Sequence, residues 1–259
     1  MKKGQLTLVG AGPGDPDLIT IKGAKAIASA EVLLYDALVN KELLKYAVGS
    51  CKQIFVGKRA GRHSATQWEI NELIVQHALQ GRHVVRLKGG DPMIFARGQE
   101  ELDYARSFGI HTEVVAGISS INLPGQYQIP LTARGVNESF WAVTATNRNG
   151  LLSSDVKLAA RSSATVVFFM GLGKLDEIVS IYRALGREQE AVAIISQGSL
   201  PTAKIVTGTI DSIKDAAQGI AAPALIVVGD SVKEYTKHHI NTQILVHHEQ
   251  SKHAISSLS

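Results

Sequence analysis

Two glycine-rich turns carry the groups best able to do chemistry in this 259-residue chain: VGAGPGDPDLIT from Val9 and VVRLKGGDPMIFARG from Val84. Each leaves an apolar strand through glycines and reaches an Asp-Pro pair. An aspartate accepts the first free N–H groups of a helix, and proline suits the next position. The pattern therefore predicts a helix opening at Asp91-Pro92, with Arg97 about one and a half turns in. Gly89 and Gly90 leave the backbone bare at the carboxyl end of a strand, where open α/β sheets place their ligands. With Asp36 ending the next strand, the first turn has the outline of a dinucleotide fingerprint. Against that, Asp15 stands where the third glycine would be and would face a pyrophosphate. Pro13 also removes a backbone donor. The turn suits a ligand without phosphates, and a nicotinamide-dependent oxidoreductase stands as the alternative from a different class.

The charge balance gives a second clue. A net charge of +4 with scattered Lys and Arg and few aromatics fits a small polyanion better than nucleic acid, which would want a basic stripe and stacking platforms. Lys58, Arg59, Arg62, Arg97 and Arg134 fall in loops beside strand ends, where a charged surface residue has most reason to be functional. A single cysteine, Cys51, excludes an internal disulfide and a cysteine-built metal site and suits a cytoplasmic protein. No apolar run approaches the roughly 20 residues that span a bilayer. The histidines at 238, 239, 247, 248 and 253 are irregularly spaced and read as a solvated tail, so no metal is expected.

The elements that must position these residues follow from apolar periodicity. Short strands are predicted at Gln5 to Val9, Val32 to Tyr35, Gln53 to Val56, the run ending at Leu87, and Thr112 to Val115. Helices are predicted at about Pro16 to Ala30, Lys41 to Tyr46, Thr66 to Gln80, and after Asp91 to about Phe108. Alternation of this kind means a parallel α/β sheet. The stretch from Leu123 to Gly135 reads as a crossing between domains. Strands resume at Phe140 to Ala145, Thr165 to Met170, Ala191 to Ser196, Lys204 to Thr207 and Ala224 to Val228, with helices at Lys174 to Leu185 and Thr209 to Ala217. Several of these strands lack an intervening helix, so the second sheet should be mixed. The expected organisation is an α/β protein of two α/β domains, 1–118 with a parallel sheet and 119–235 with a mixed one, and a polar tail over 236–259.

The blocks VGAGPGDPDLIT, LLYD, VGKRAGRHS, VVRLKGGDPMIFARG, PLTARG, FFMG and PALIVVG occur in an order that resembles the tetrapyrrole methylase family, from about Leu6 to Val232. The resemblance implies two α/β domains with the active site in the cleft between them, a homodimer, and S-adenosylmethionine as methyl donor, released as S-adenosylhomocysteine. It implies C-methylation of a tetrapyrrole, uroporphyrinogen III to precorrin-2 in two successive transfers, for siroheme or cobalamin biosynthesis. A later precorrin as acceptor, or a non-catalytic cofactor-binding paralogue, are its alternatives. Carried over by position, Pro13, Gly89, Gly90, Asp91, Ile94, Ser119, Ser120, Met170, Gly198 and Ala224 would bind the donor. Asp36 and Lys58 would transfer protons, with Arg97 completing the catalytic set and Arg59, Arg62 and Arg134 holding substrate carboxylates. Because the match starts near Leu6, no dehydrogenase or chelatase domain is expected ahead of it. The chain departs from the family pattern at Ala96, Gln99, Ala116, Ala133 and Thr146-Asn147, on the substrate side.

Overall fold

The computed structural model describes residues 3–57 and 65–233. They form two compact units, the first ending at Ser120 and the second starting at Ile121. No described helix is long and apolar enough to cross a membrane.

In the first unit, strands β1 (Gln5–Gly10), β2 (Val32–Tyr35), β3 (Lys52–Phe55), β4 (His83–Lys88) and β5 (His111–Val115) form one parallel sheet in the order β3-β2-β4-β1-β5. Helices α1 (Ile21–Ala28), α2 (Gln67–Leu79) and α3 (Gly98–Ser107) cover it. Period-two alternation sorts the strand residues. Leu6, Leu8, Val32, Leu34 and Val84 pack with α2 and α3, while Val9, Leu33, Val85, Leu87 and Val115 pack with Ile27 of α1 and with Leu43. Helix α2 starts where its capping box dictates: Thr66 accepts from the Glu69 amide and the Glu69 carboxylate from the Thr66 amide.

The two predicted helices that follow the glycine turns differ from what forms. The stretch from Pro16 to Ala30 is a 3₁₀ turn, Pro16–Leu18, followed by α1. Asp15 caps the turn through Asp17, Ile19 is extended, and Thr20 then caps α1 separately through Gly23. Nor does a helix open at Asp91-Pro92. The Asp91 carboxylate is shared between the amides of Met93 (2.8 Å) and Gly117 (3.0 Å), and the chain folds back so that the Gly98 amide donates to the Pro92 carbonyl. Phe95 and Arg97 take positive φ, and α3 begins only at Gly98.

The second unit holds β6 (Phe140–Thr144), β7 (Thr165–Phe169), β8 (Ala191–Ser196), β9 (Lys204–Thr209) and β10 (Ala224–Val228), ordered β6-β7-β10-β8-β9. Only β6 and β7 pair in parallel; the other three pairs are antiparallel, as the missing crossover helices predict. Helices α5 (Asp155–Ala159) and α6 (Leu175–Ala184) cover one face through Val156, Ile178, Val179 and Tyr182. The other face buries Leu123 and Ile129, so the 123–135 stretch, which starts as helix α4 (Leu123–Gln126), packs on this sheet. Helix α7 (Ile213–Ala216) follows β9.

Candidate active site

Three turns meet at the carboxyl ends of β4, β1 and β5. The Gly12 amide donates to the Gly90 carbonyl (3.2 Å), the Gly90 amide returns the bond to Gly12 (2.7 Å), and the Ala11 amide donates to the Lys88 carbonyl. Gly117, just past β5, lies so close that a Cβ on it would stand 2.3 Å from the Gly90 carbonyl oxygen and 2.6 Å from the Gly10 Cα. Glycine is required by approach, not by φ, at this point. A Cβ on Gly90, which does have positive φ, would come within 3.9 Å of Ser119 Cα and the Ser120 amide nitrogen. Pro13, Gly89, Gly90, Asp91, Ser119 and Ser120 are therefore gathered at one end of the first sheet, with Ile94 bonded back to the Asp91 carbonyl.

This geometry disfavours a dinucleotide. The amides of Ala11 and Gly12 are already committed to the neighbouring turn, and the helix that would aim its N-terminus at a pyrophosphate starts only at Ile21. What the turns present is bare, largely neutral backbone, which suits an adenosine and a zwitterionic tail.

Asp36 follows β2 directly, and the register Tyr35↔Leu87 sets it beside the end of β4. One carboxylate oxygen accepts the Leu38 amide (3.0 Å) and the other an Arg86 nitrogen (3.2 Å). Beneath lie Lys88 and Glu101, joined at 2.7 Å, with Gln67 donating to the same Glu101 oxygen at 3.1 Å. Burial and the Arg86 charge press the Lys88 ammonium below its ordinary value, while Glu101 pulls it back up. Arg86, Lys88 and Glu101 were not among the sequence candidates. The available signal was two cations at alternate positions of an otherwise apolar strand, VVRLK.

Arg97 sits at the N-cap of α3 with φ 60°, not inside a helix. Its guanidinium grips Glu100 through two bonds, 2.9 and 2.6 Å, at an exposed site. That pairing raises Arg97 and lowers Glu100 relative to their ordinary values. Gln99, one of the departures, bonds to Asp103 along the same helix. Lys58, Arg59 and Arg62 lie outside the described residues, as does the histidine tail.

In the second unit, the pairings Phe168↔Ile226 and Ser196↔Ala224 bring the ends of β7 and β8 and the start of β10 to one edge. Met170, Gly198 and Ala224 share it. Met170 and Gln197, each one residue past a strand, have φ of 53° and 51°, a conformation that strains a non-glycine residue by about 1–3 kcal/mol. The Thr146 hydroxyl donates to the Met170 carbonyl, and Asn147 closes the adjoining turn through the amides of Asn149 and Leu151, which gives the Thr146-Asn147 departure a structural role. Arg134 is exposed in a loop pinned by Asn137, whose side chain bonds Leu131, Ala133, Ser139 and Thr165. Among the described residues, no group of three or more His, Cys, Asp or Glu side chains is placed to hold a metal ion.

Similar proteins place the chain in a family. The family model for tetrapyrrole (corrin/porphyrin) methylases matches residues 5–214. The uroporphyrinogen-III C-methyltransferase of Methanocaldococcus jannaschii is 42% identical over 234 residues, covering 88% of this chain and 97% of that protein. A siroheme synthase of Psychrobacter sp. is 38% identical over 265 residues, and the match spans 53% of its length. The solved uroporphyrin-III C-methyl transferase of Thermus thermophilus, complexed with S-adenyl homocysteine, is 36% identical with a TM-score of 0.78, covering 89% of this chain and all of that one. With its blocks in order, a parallel and a mixed sheet, and glycine turns gathered at the strand ends, the chain belongs to the tetrapyrrole methylase family.

Proposed function

We propose that this protein is a methyltransferase that moves two methyl groups in succession from S-adenosylmethionine to carbons of uroporphyrinogen III, giving precorrin-2 for siroheme or cobalamin-type biosynthesis. The observation that carries the reading is Asp36, a held carboxylate at a strand end beside turns of bare backbone. We assign donor binding to Pro13, Gly89, Gly90, Asp91, Ile94, Ser119 and Ser120 in the first unit and to Met170, Gly198 and Ala224 in the second. The donor supplies an electrophilic methyl on a sulfonium. A pyrrole carbon of the acceptor gives the electron pair of the new C–C bond, the methyl–sulfur pair stays on sulfur, and the macrocycle holds the positive charge until a proton leaves it. Asp36 takes that proton. Lys58, Arg59, Arg62, Arg97 and Arg134 serve a substrate rich in carboxylates, and Lys58 joins Asp36 in moving that proton away.

Anaerobic incubation with uroporphyrinogen III and labelled donor, followed by mass analysis, tests the reading. Two added methyl groups are expected. Labelling of a later precorrin but not of uroporphyrinogen III would move the acceptor, and tight binding of nicotinamide nucleotides without methyl transfer would remove the class.

Arg97 supplies a sharper measurement. A substrate carboxylate must take the place of Glu100 on the guanidinium fork, a geometry that lysine cannot copy. Arg97→Lys is expected to lower methyl transfer by about tenfold to a hundredfold while S-adenosylhomocysteine affinity holds. The exposed Arg97–Glu100 pair itself contributes under about 1 kcal/mol, so turnover near wild type would mean that this pair is its whole role.

A homodimer is part of the same proposal. Strand β6 is an edge of its sheet and leaves Phe140 and Trp141 exposed, with Leu151 and Leu158 exposed nearby in sequence. Light scattering at micromolar concentration should give twice the chain mass; a monomer would contradict it. The single cysteine, Cys51, buried in the first unit, supports placement in the reducing cytoplasm.

A further inference from the structure

Strand β4 buries charge where its neighbours bury hydrocarbon. Arg86, Lys88 and Glu101 are 3, 4 and 1% exposed, and the strand's alternation sends Arg86 and Lys88 to the face covered by α2 and α3. Buried ion pairs of this kind add little stability compared with well-packed apolar side chains, so their presence calls for another reason. The distances suggest one. Lys88 takes the short contact with Glu101, and Gln67 shares the same oxygen. Arg86 Nε stands 3.5 Å from that oxygen, with no hydrogen-bond partner. Its two outer nitrogens are used instead: one donates to the Leu87 carbonyl at 2.7 Å and the other to Asp36 at 3.2 Å. Asp36 is 24% exposed at the side chain and Arg86 only 4%, so the pair has one buried and one accessible end.

We infer that Arg86 is a positioning residue for methyl transfer: anchored on the Leu87 carbonyl, it holds the Asp36 carboxylate oriented at the end of β2. Lys88 neutralises Glu101 and so leaves the Arg86 charge to Asp36. Four charged groups, two of each sign, balance the cluster. The fixed fork of a guanidinium can serve both partners at once, whereas an ammonium is a point donor. The assignment rests on Asp36 being the proton acceptor.

The test compares Asp36→Asn, Arg86→Met and the double variant for kcat, KM and S-adenosylhomocysteine affinity. Asp36→Asn is expected to lower kcat about a hundredfold. Arg86→Met is expected to lower it by about tenfold or more through misplacement of that carboxylate, with KM and affinity unchanged. The double variant should be no slower than Asp36→Asn alone, because Arg86 acts through Asp36. If Arg86→Met does not fold, Arg86→Met combined with Glu101→Gln keeps the buried charge balanced and replaces it, compared with Glu101→Gln alone. Wild-type kcat in the Arg86 variant, or losses that multiply in the double variant, would overturn the inference. Normal turnover by Asp36→Asn would overturn the Asp36 reading itself, and this assignment with it, whatever the Arg86 variant does.

Discussion

Glu101→Ala is expected to lower the stability of the protein by about 3–5 kcal/mol, because it leaves the buried Lys88 ammonium without its hydrogen-bonded carboxylate. The lost partner matters more than the lost bond. Glu101 is nearly solvent-inaccessible, so water cannot replace it. Glu101→Gln keeps an acceptor for Lys88 and should lose less. The deficit should also depend on pH. The folded-state pKa of Lys88 lies below its ordinary 10.5, through burial first and Arg86 second, with Glu101 opposing. Between that pKa and the unfolded value the unfolded chain binds more protons, so this group's contribution to stability rises with pH and is lost as pH falls through the folded pKa. Removing Glu101 pushes the folded pKa down further and widens the window. Urea unfolding of both proteins at about pH 7 and about pH 10 should therefore show a smaller gap at the higher pH. An alanine variant within about 1 kcal/mol of wild type at neutral pH would show that the cluster does not depend on its acid.

Gly117→Ala should produce the other large effect. The new Cβ would be 2.3 Å from the Gly90 carbonyl oxygen, and the atoms it meets are backbone, which cannot swing aside as a side chain could. The turns after β1, β4 and β5 must separate, breaking the bond from the Gly117 amide to Asp91 and straining the Gly12–Gly90 bridge. A loss of about 3 kcal/mol in stability is expected. S-adenosylhomocysteine affinity, measured by calorimetry on the folded protein, should fall by about a hundredfold, since the displaced turns are the proposed donor site. Gly125→Ala is the contrast: nothing lies within 4 Å of its Cβ position, it belongs to α4, and its φ is not positive. It should be neutral or slightly stabilising. Equal behaviour of the two variants would mean that close approach of the turns is not what requires glycine at 117.

Much of this architecture was legible in the chain because the forces that write it are local. Apolar runs placed the ten strands of the described residues to within a residue or two, the Thr66…Glu69 box placed α2, and strands without crossover helices announced a mixed second sheet. Glycines at strand ends, with Asp15 and Pro13 unsuited to phosphate, marked the turns proposed above to bind the donor. What the sequence could not decide were the pairings that depend on which strands become neighbours. Asp91 reads as a helix cap, yet its carboxylate bonds Gly117, twenty-six residues on, and the helix moves to Gly98. Arg97 reads as a helical residue and is left-handed, gripping Glu100. Arg86 and Lys88 read as interruptions of an apolar strand. Only when β2 docks beside β4, and α3 lays Glu101 over them, do residues from three distant segments become one buried charge cluster behind Asp36. Propensities and caps act over a few residues and survive in the sequence; the partner of a buried charge is chosen by strand order and register, which exist only in the folded chain.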